Sequence, residues 1–80
     1  MKEQLNNMKT NHAVFWFENL WGASVVKNEP TAYCKDGFPY EIAVLNKRGQ
    51  IDYTTPLTND VLGYLTTEQA VTTLEAIQEL

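Results

Sequence analysis

The chain has 80 residues, with six Lys and Arg against ten Asp and Glu, so its net charge is −4. That length allows one domain with a small core, and that charge gives no general attraction for nucleic acid or anionic membrane. A single cysteine, Cys34, excludes an internal disulfide and any zinc site built on paired cysteines.

Residues 1–11 are polar, with Leu5 and Met8 as the only large apolar anchors after Met1. A flexible leader is expected there in preference to a loose helical turn, and Met8 is an alternative translation start. The leader has no apolar core of a signal peptide, and no run in the chain approaches eighteen apolar residues. Neither secretion nor membrane spanning is expected, which leaves a cytoplasmic setting.

The domain proper is expected over residues 12–80. Ala13-Val14-Phe15-Trp16-Phe17 is too short for a helix and rich in strand formers, so it predicts a strand covered on both faces. Asn19-Leu20-Trp21-Gly22 reads as a turn with Gly22 free to take positive φ, and Ala23 to Lys27 return as a second strand. These two form a first hairpin. Residues 28–39 hold two prolines and the turn pair Asp36-Gly37, and predict a long loop.

A second hairpin follows. Tyr40, Ile42, Val44 and Leu45 suit a pleated surface, and Asn46-Lys47-Arg48-Gly49 carries the residues of a type I turn closed by a glycine at positive φ. Ile51-Asp52-Tyr53-Thr54 alternates and predicts the returning strand, which Pro56 ends. With Gly49 as a bulge, Leu45 faces Ile51 and Ala43 faces Tyr53, and these four are expected on the core face. Tyr40, Ile42 and Val44 then fall on the opposite face as surplus apolar surface.

Thr58 or Asn59 is placed to cap a short helical turn at Asp60-Val61-Leu62, broken by Gly63. The last element carries the strongest signal. Thr66 and Gln69 have the spacing of a capping box, and Ala70, Val71, Leu74, Ile77 and Leu80 recur along one face of a helix. The expected fold is therefore α+β: a small antiparallel sheet of about four strands, in two hairpins, with the C-terminal helix packed on one face.

Little in the chain points to catalysis. His12 is the only histidine and Cys34 the only thiol, and each is expected to be inert. Glu41 and Asp52 fall on opposite sides of the expected sheet, so they do not converge as a general acid–base pair. The four glycines are widely separated, which excludes a glycine-rich phosphate loop. No enzyme activity, cofactor or metal is expected.

Three blocks resemble recurrent segments of small uncharacterised proteins encoded by bacteriophages and prophages of Gram-positive hosts. They are Gly22-Ala23-Ser24-Val25-Val26, Tyr40-Glu41-Ile42-Ala43-Val44-Leu45, and the segment from Tyr53 through Thr66. The resemblance covers about residues 14–80 and implies an origin without a mechanism. It makes a host or phage protein the expected partner, and inhibition of a host complex one form that binding takes. Trp16, Trp21, Tyr40, Ile42 and Val44 are the expected contact residues, since surplus apolar and Trp surface marks binding sites. The alternative is a self-assembling accessory protein that forms a homodimer through its spare sheet face.

Overall fold

The computed structural model describes residues 1–56 and 61–80. Its elements run α1 (Lys2–Asn6), β1 (His12–Trp16), β2 (Gly22–Lys27), β3 (Tyr40–Leu45), β4 (Leu62–Leu65) and α2 (Thr67–Gln78). The strands form one antiparallel sheet in the order β1-β2-β3-β4, with α2 against one face. The α+β fold read from the sequence is the fold observed. No helix among the described residues is long and apolar enough to cross a membrane.

The helix forms where the capping signal places it. The Thr66 N–H donates to Gln69 Oε1 at 2.9 Å, and the Gln69 N–H donates to Thr66 Oγ1 at 3.1 Å. Two of the N–H groups that the helix start leaves without intrahelical partners are thereby satisfied. Ala70, Leu74 and Ile77 then point into the sheet and are buried. Each large aliphatic side chain so buried contributes about 1.5–3 kcal/mol. They meet Ala23 and Val25 of β2 and Tyr40, Ile42 and Val44 of β3.

This packing corrects the expected sidedness of β3. Tyr40, Ile42 and Val44 are the core face, under α2, and are not surplus surface. Five of the six residues of β3 are buried, so its own pattern carries no record of which parity faces the helix. Strand β1 shows the reverse effect. Its five-residue apolar run predicts cover on both faces, yet burial alternates along it and Val14 and Trp16 are exposed. The strand lies at the sheet edge, and α2 covers one side only.

The β1–β2 turn forms as expected, with a different residue bearing the unusual backbone. Leu20 has φ 72°, its N–H donates to the Phe17 carbonyl, and the Phe17 N–H donates to the Trp21 carbonyl. Gly22 is required for another reason: a Cβ built on it would lie 2.6 Å from Trp16 Cε3.

After β3, the Asn46–Gly49 turn closes as expected, with Gly49 at φ 78° and its N–H on the Asn46 carbonyl. Leu45 pairs with Ile51 and the Asp52 N–H reaches the Val44 carbonyl, but the returning strand stops there. Asp52 accepts from the Thr54 N–H at 2.8 Å and from the Thr54 hydroxyl. Such a side-chain turn competes with the ladder and bends the chain away. The remaining edge of β3 is filled by Leu62–Leu65, in the register Tyr40↔Leu65 and Ile42↔Leu62 with a shift between them. Of the helical turn expected around residues 58–62, Thr58, Asn59 and Asp60 lie outside the described residues, and Leu62 belongs to β4.

The leader also differs from expectation. Lys2–Asn6 forms a short helix whose Leu5 is fully buried in the core beside α2. Lys27 Nζ donates to the Leu5 carbonyl at 3.1 Å and so holds the helix to β2. One buried leucine outweighs the polarity of its neighbours.

Candidate functional site: the open face of the sheet

The face of the sheet opposite α2 can be written from the register as three rows. Trp16, Gly22, Leu45 and Ile51 lie side by side across the strands, followed by Val14, Ser24 and Ala43, then His12, Val26 and Glu41. Ala43 and Leu45 form a buried floor, while Val14 (46%), Trp16 (53%) and Ile51 (47%) stand exposed around it. Tyr53, two residues beyond Ile51 in the turn that Asp52 and Thr54 close, is exposed to 46%.

Trp16 is the largest exposed side chain on this face. Its ring lies over the bare backbone of Gly22, and its far edge comes within 3.9 Å of where a Gly49 Cβ would stand. Two glycines thus make the bed for one indole, which is why the ring lies flat and leaves half its surface to solvent. A flat, preset aromatic loses little conformational freedom when another surface covers it.

The other end of the face is polar. His12 Nε2 and Ser24 Oγ are 2.7 Å apart, and the Glu41 carboxylate accepts the Tyr33 N–H at 2.9 Å. A serine beside a histidine is the contact expected of an activated nucleophile. Here Ser24 sits in the middle of β2, which is paired on both sides, so the backbone donors around it belong to the ladders. They do not converge on an oxyanion position. Among the described residues, no three of His, Cys, Asp and Glu come together as metal ligands would.

Beyond β3 a second aromatic group lies on the loop and β4. Tyr33 and Tyr64 meet edge to face at 5.9 Å, and Lys35 Nζ lies 5.2 Å from the ring centres of both Phe38 and Tyr64. The Tyr64 N–H donates to the Tyr33 carbonyl, so the loop is tied to the outer side of β4. Cys34 is half-buried, its Sγ 4.0 Å from the Val26 carbonyl oxygen. It borders an open hollow of about 420 Å³ with Asn28, Glu29, Pro30, Lys35 and Asp36.

Of the five contact residues expected from the sequence, the structure puts Trp16 alone on the open face. Tyr40, Ile42 and Val44 are core. Trp21 is half-buried against that core and flanks a separate hollow with Asn46, Lys47, Arg48 and Asp52. Val14, Ile51 and Tyr53 were missed. The signal for Ile51 is its pairing with Leu45, concealed by the inverted sidedness of β3, and that for Val14 is its parity with Trp16, concealed by an apolar run that predicts cover on both faces of β1.

Asp52, at the rim, is held below the usual carboxylate range by its hydrogen bond from the Thr54 hydroxyl, then by the Thr54 N–H and by Asn46. Its charge closes the turn that presents Tyr53. Compared with protein-family models, curated proteins and solved structures, the chain matches none.

Proposed function

We propose that this chain is a non-enzymatic binding protein of the phage or prophage type that docks the open face of its sheet on a host or phage protein. Obstruction of a larger host complex in the bacterial cytoplasm is the mode of action that its size suits. The observation behind the reading is the row Trp16–Gly22–Leu45–Ile51, an aromatic anchor on a preset apolar floor with Val14 in the next row and the exposed Tyr53 following Ile51 in the chain. Interfaces draw most of their energy from such Trp and Tyr anchors, surrounded by contacts that exclude water. The His12, Ser24 and Glu41 end supplies the polar rim. The resemblance to phage proteins supports the class of partner, and the single cysteine fits a reducing cell interior.

The test is affinity capture from host lysate with the wild-type chain and an Ile51→Ser/Tyr53→Ser variant, both checked for unchanged circular dichroism. A partner recovered in near-stoichiometric amount by the wild type and lost with the variant is expected. A partner retained equally by both, or none, sinks the open-face reading. The homodimer alternative is favoured by another part of the molecule, the free edge of β1.

A further inference from the structure

The two edges of the sheet are treated differently by the chain. Strand β4 is irregular, with a register shift, a positive φ at Tyr64, and the Tyr33 carbonyl already holding the outward Tyr64 N–H. Those are the devices by which an edge is kept from pairing further. Strand β1 has none of them: it is regular, it carries no charge from Ala13 to Phe17, and no strand among the described residues pairs with its outer side.

Which groups that edge offers follows from the hairpin. The Phe17 N–H donates to the Trp21 carbonyl and the Lys27 N–H to the Asn11 carbonyl, so the odd-numbered residues of β1 bond to β2. The even-numbered ones, His12, Val14 and Trp16, therefore point their N–H and C=O outward. His12 is already served by Thr10, whose hydroxyl donates to the His12 carbonyl at 2.7 Å and accepts its N–H at 3.4 Å. Val14 and Trp16 are left with two free donors and two free acceptors. The Trp16 ring leans over Gly22, away from the edge, so it does not shield them.

We infer that β1 pairs antiparallel with β1 of a second copy about a two-fold axis at Phe15, joining the two sheets into one. The occupant follows from self-complementarity. This register sets Val14 opposite the partner copy's Trp16 and the reverse, so the four free groups on each strand are matched while each Thr10–His12 cap stays in place. Phe15 meets its own copy on the helix side, at the close, non-hydrogen-bonded position where aromatic pairs contribute most. Both α2 helices lie on one side of the joined sheet and both open faces on the other. The interface is isologous and closes at two copies.

The inference stands on the edge and does not depend on the open-face reading. It is tested on the full chain by light-scattering mass and by amide hydrogen exchange in one NMR sample. A dimer is expected, with the Val14 and Trp16 amides protected although neither bonds within its own sheet. Val14→Pro should halve the mass, because an edge-strand N–H that makes no internal bond is the place where proline is tolerated. The Ile51→Ser/Tyr53→Ser variant should remain dimeric, which separates this seam from the open face. A monomeric mass at NMR concentration overturns the proposal, as does a dimer whose Val14 and Trp16 amides exchange like exposed ones.

Discussion

Asn19, in the turn between β1 and β2, donates its side-chain amide to the carbonyl of Ile77, 58 positions away at the end of α2, at 2.9 Å. The same nitrogen reaches the Gln78 carbonyl at 3.0 Å, while its oxygen accepts the Trp21 N–H at 3.1 Å. The last carbonyls of a helix have no partner within it; the Leu80 N–H reaches that of Ile77 at 3.2 Å, and α2 has no basic residue in its last turn to add to it. One asparagine therefore shapes the hairpin turn, caps the helix and fixes the distance between them.

Asn19→Ala is expected to lower stability by about 1–2 kcal/mol, the range for losing buried-side hydrogen bonds and a cap. Asn19→Asp should be no better, since it keeps the acceptor for Trp21 but places a negative charge at the negative end of the helix dipole. Urea unfolding of the two variants measures both. Recovery of wild-type stability by the aspartate would show that the turn matters and the helix cap does not.

Gly22 and Trp16 form the second such pair. A Cβ on Gly22 would lie 2.6 Å from Trp16 Cε3 and 2.8 Å from the Phe15 carbonyl oxygen, and the latter cannot move without disturbing the hairpin. Gly22→Ala should cost about 1–3 kcal/mol through overpacking. It should also lift the indole from its bed and change its fluorescence. A stable variant with unchanged emission would mean that the ring does not rest there.

How far the sequence reveals this molecule depends on whether a signal is local. The capping box of Thr66 and Gln69, the Asn46–Gly49 turn and the first hairpin depend on neighbours within a few positions, and each is where the residues place it. The side of β3 that meets the helix is set by α2 packing on it. In Tyr40–Leu45 both parities are apolar and buried, so nothing within the strand distinguishes them. That one ambiguity puts Tyr40, Ile42 and Val44 on the surface and Ile51 with the core, while Val14 is hidden separately by the unbroken apolar run of β1, which predicts cover on both faces. The returning strand failed for a different reason. Ile51-Asp52-Tyr53-Thr54 alternates correctly, but the Asp52 carboxylate captures the Thr54 N–H before a ladder can.

Leu5 carries the attachment of the leader. It is fully buried among core side chains, and the surface ion pair between Lys2 and Glu68, 3.6 Å long and exposed on both sides, adds little. Leu5→Ala should therefore cost about 2–5 kcal/mol, the range for emptying a buried leucine site. Removal of residues 1–8 should destabilise the rest comparably, and the Lys27 ammonium would lose its carbonyl partner. Thermal unfolding of the two forms reads this directly. A truncated chain as stable as the intact one would return the segment to the status of a tail.

Asp52 gives the fold a pH signature. Its carboxylate is favoured by the Thr54 hydroxyl first, then by the Thr54 N–H and Asn46, so its pKa in the folded chain lies below the ordinary aspartate value. A group shifted in this direction contributes stability above the pKa it has in the unfolded chain. That contribution is lost as the pH falls through the folded value. The 51–54 turn is thus expected to hold at neutral pH and to loosen at the acid end of the carboxylate range. Tyr53 and the apolar end of the open face should loosen with it. Carboxyl-carbon NMR titration should find Asp52 below the ordinary aspartate value. Thr54→Ala should move Asp52 upward only part of the way, because the backbone donor of residue 54 remains. A complete return to the ordinary value would assign the whole effect to the hydroxyl, and no change would remove Thr54 from the account of why the returning strand ends at Asp52.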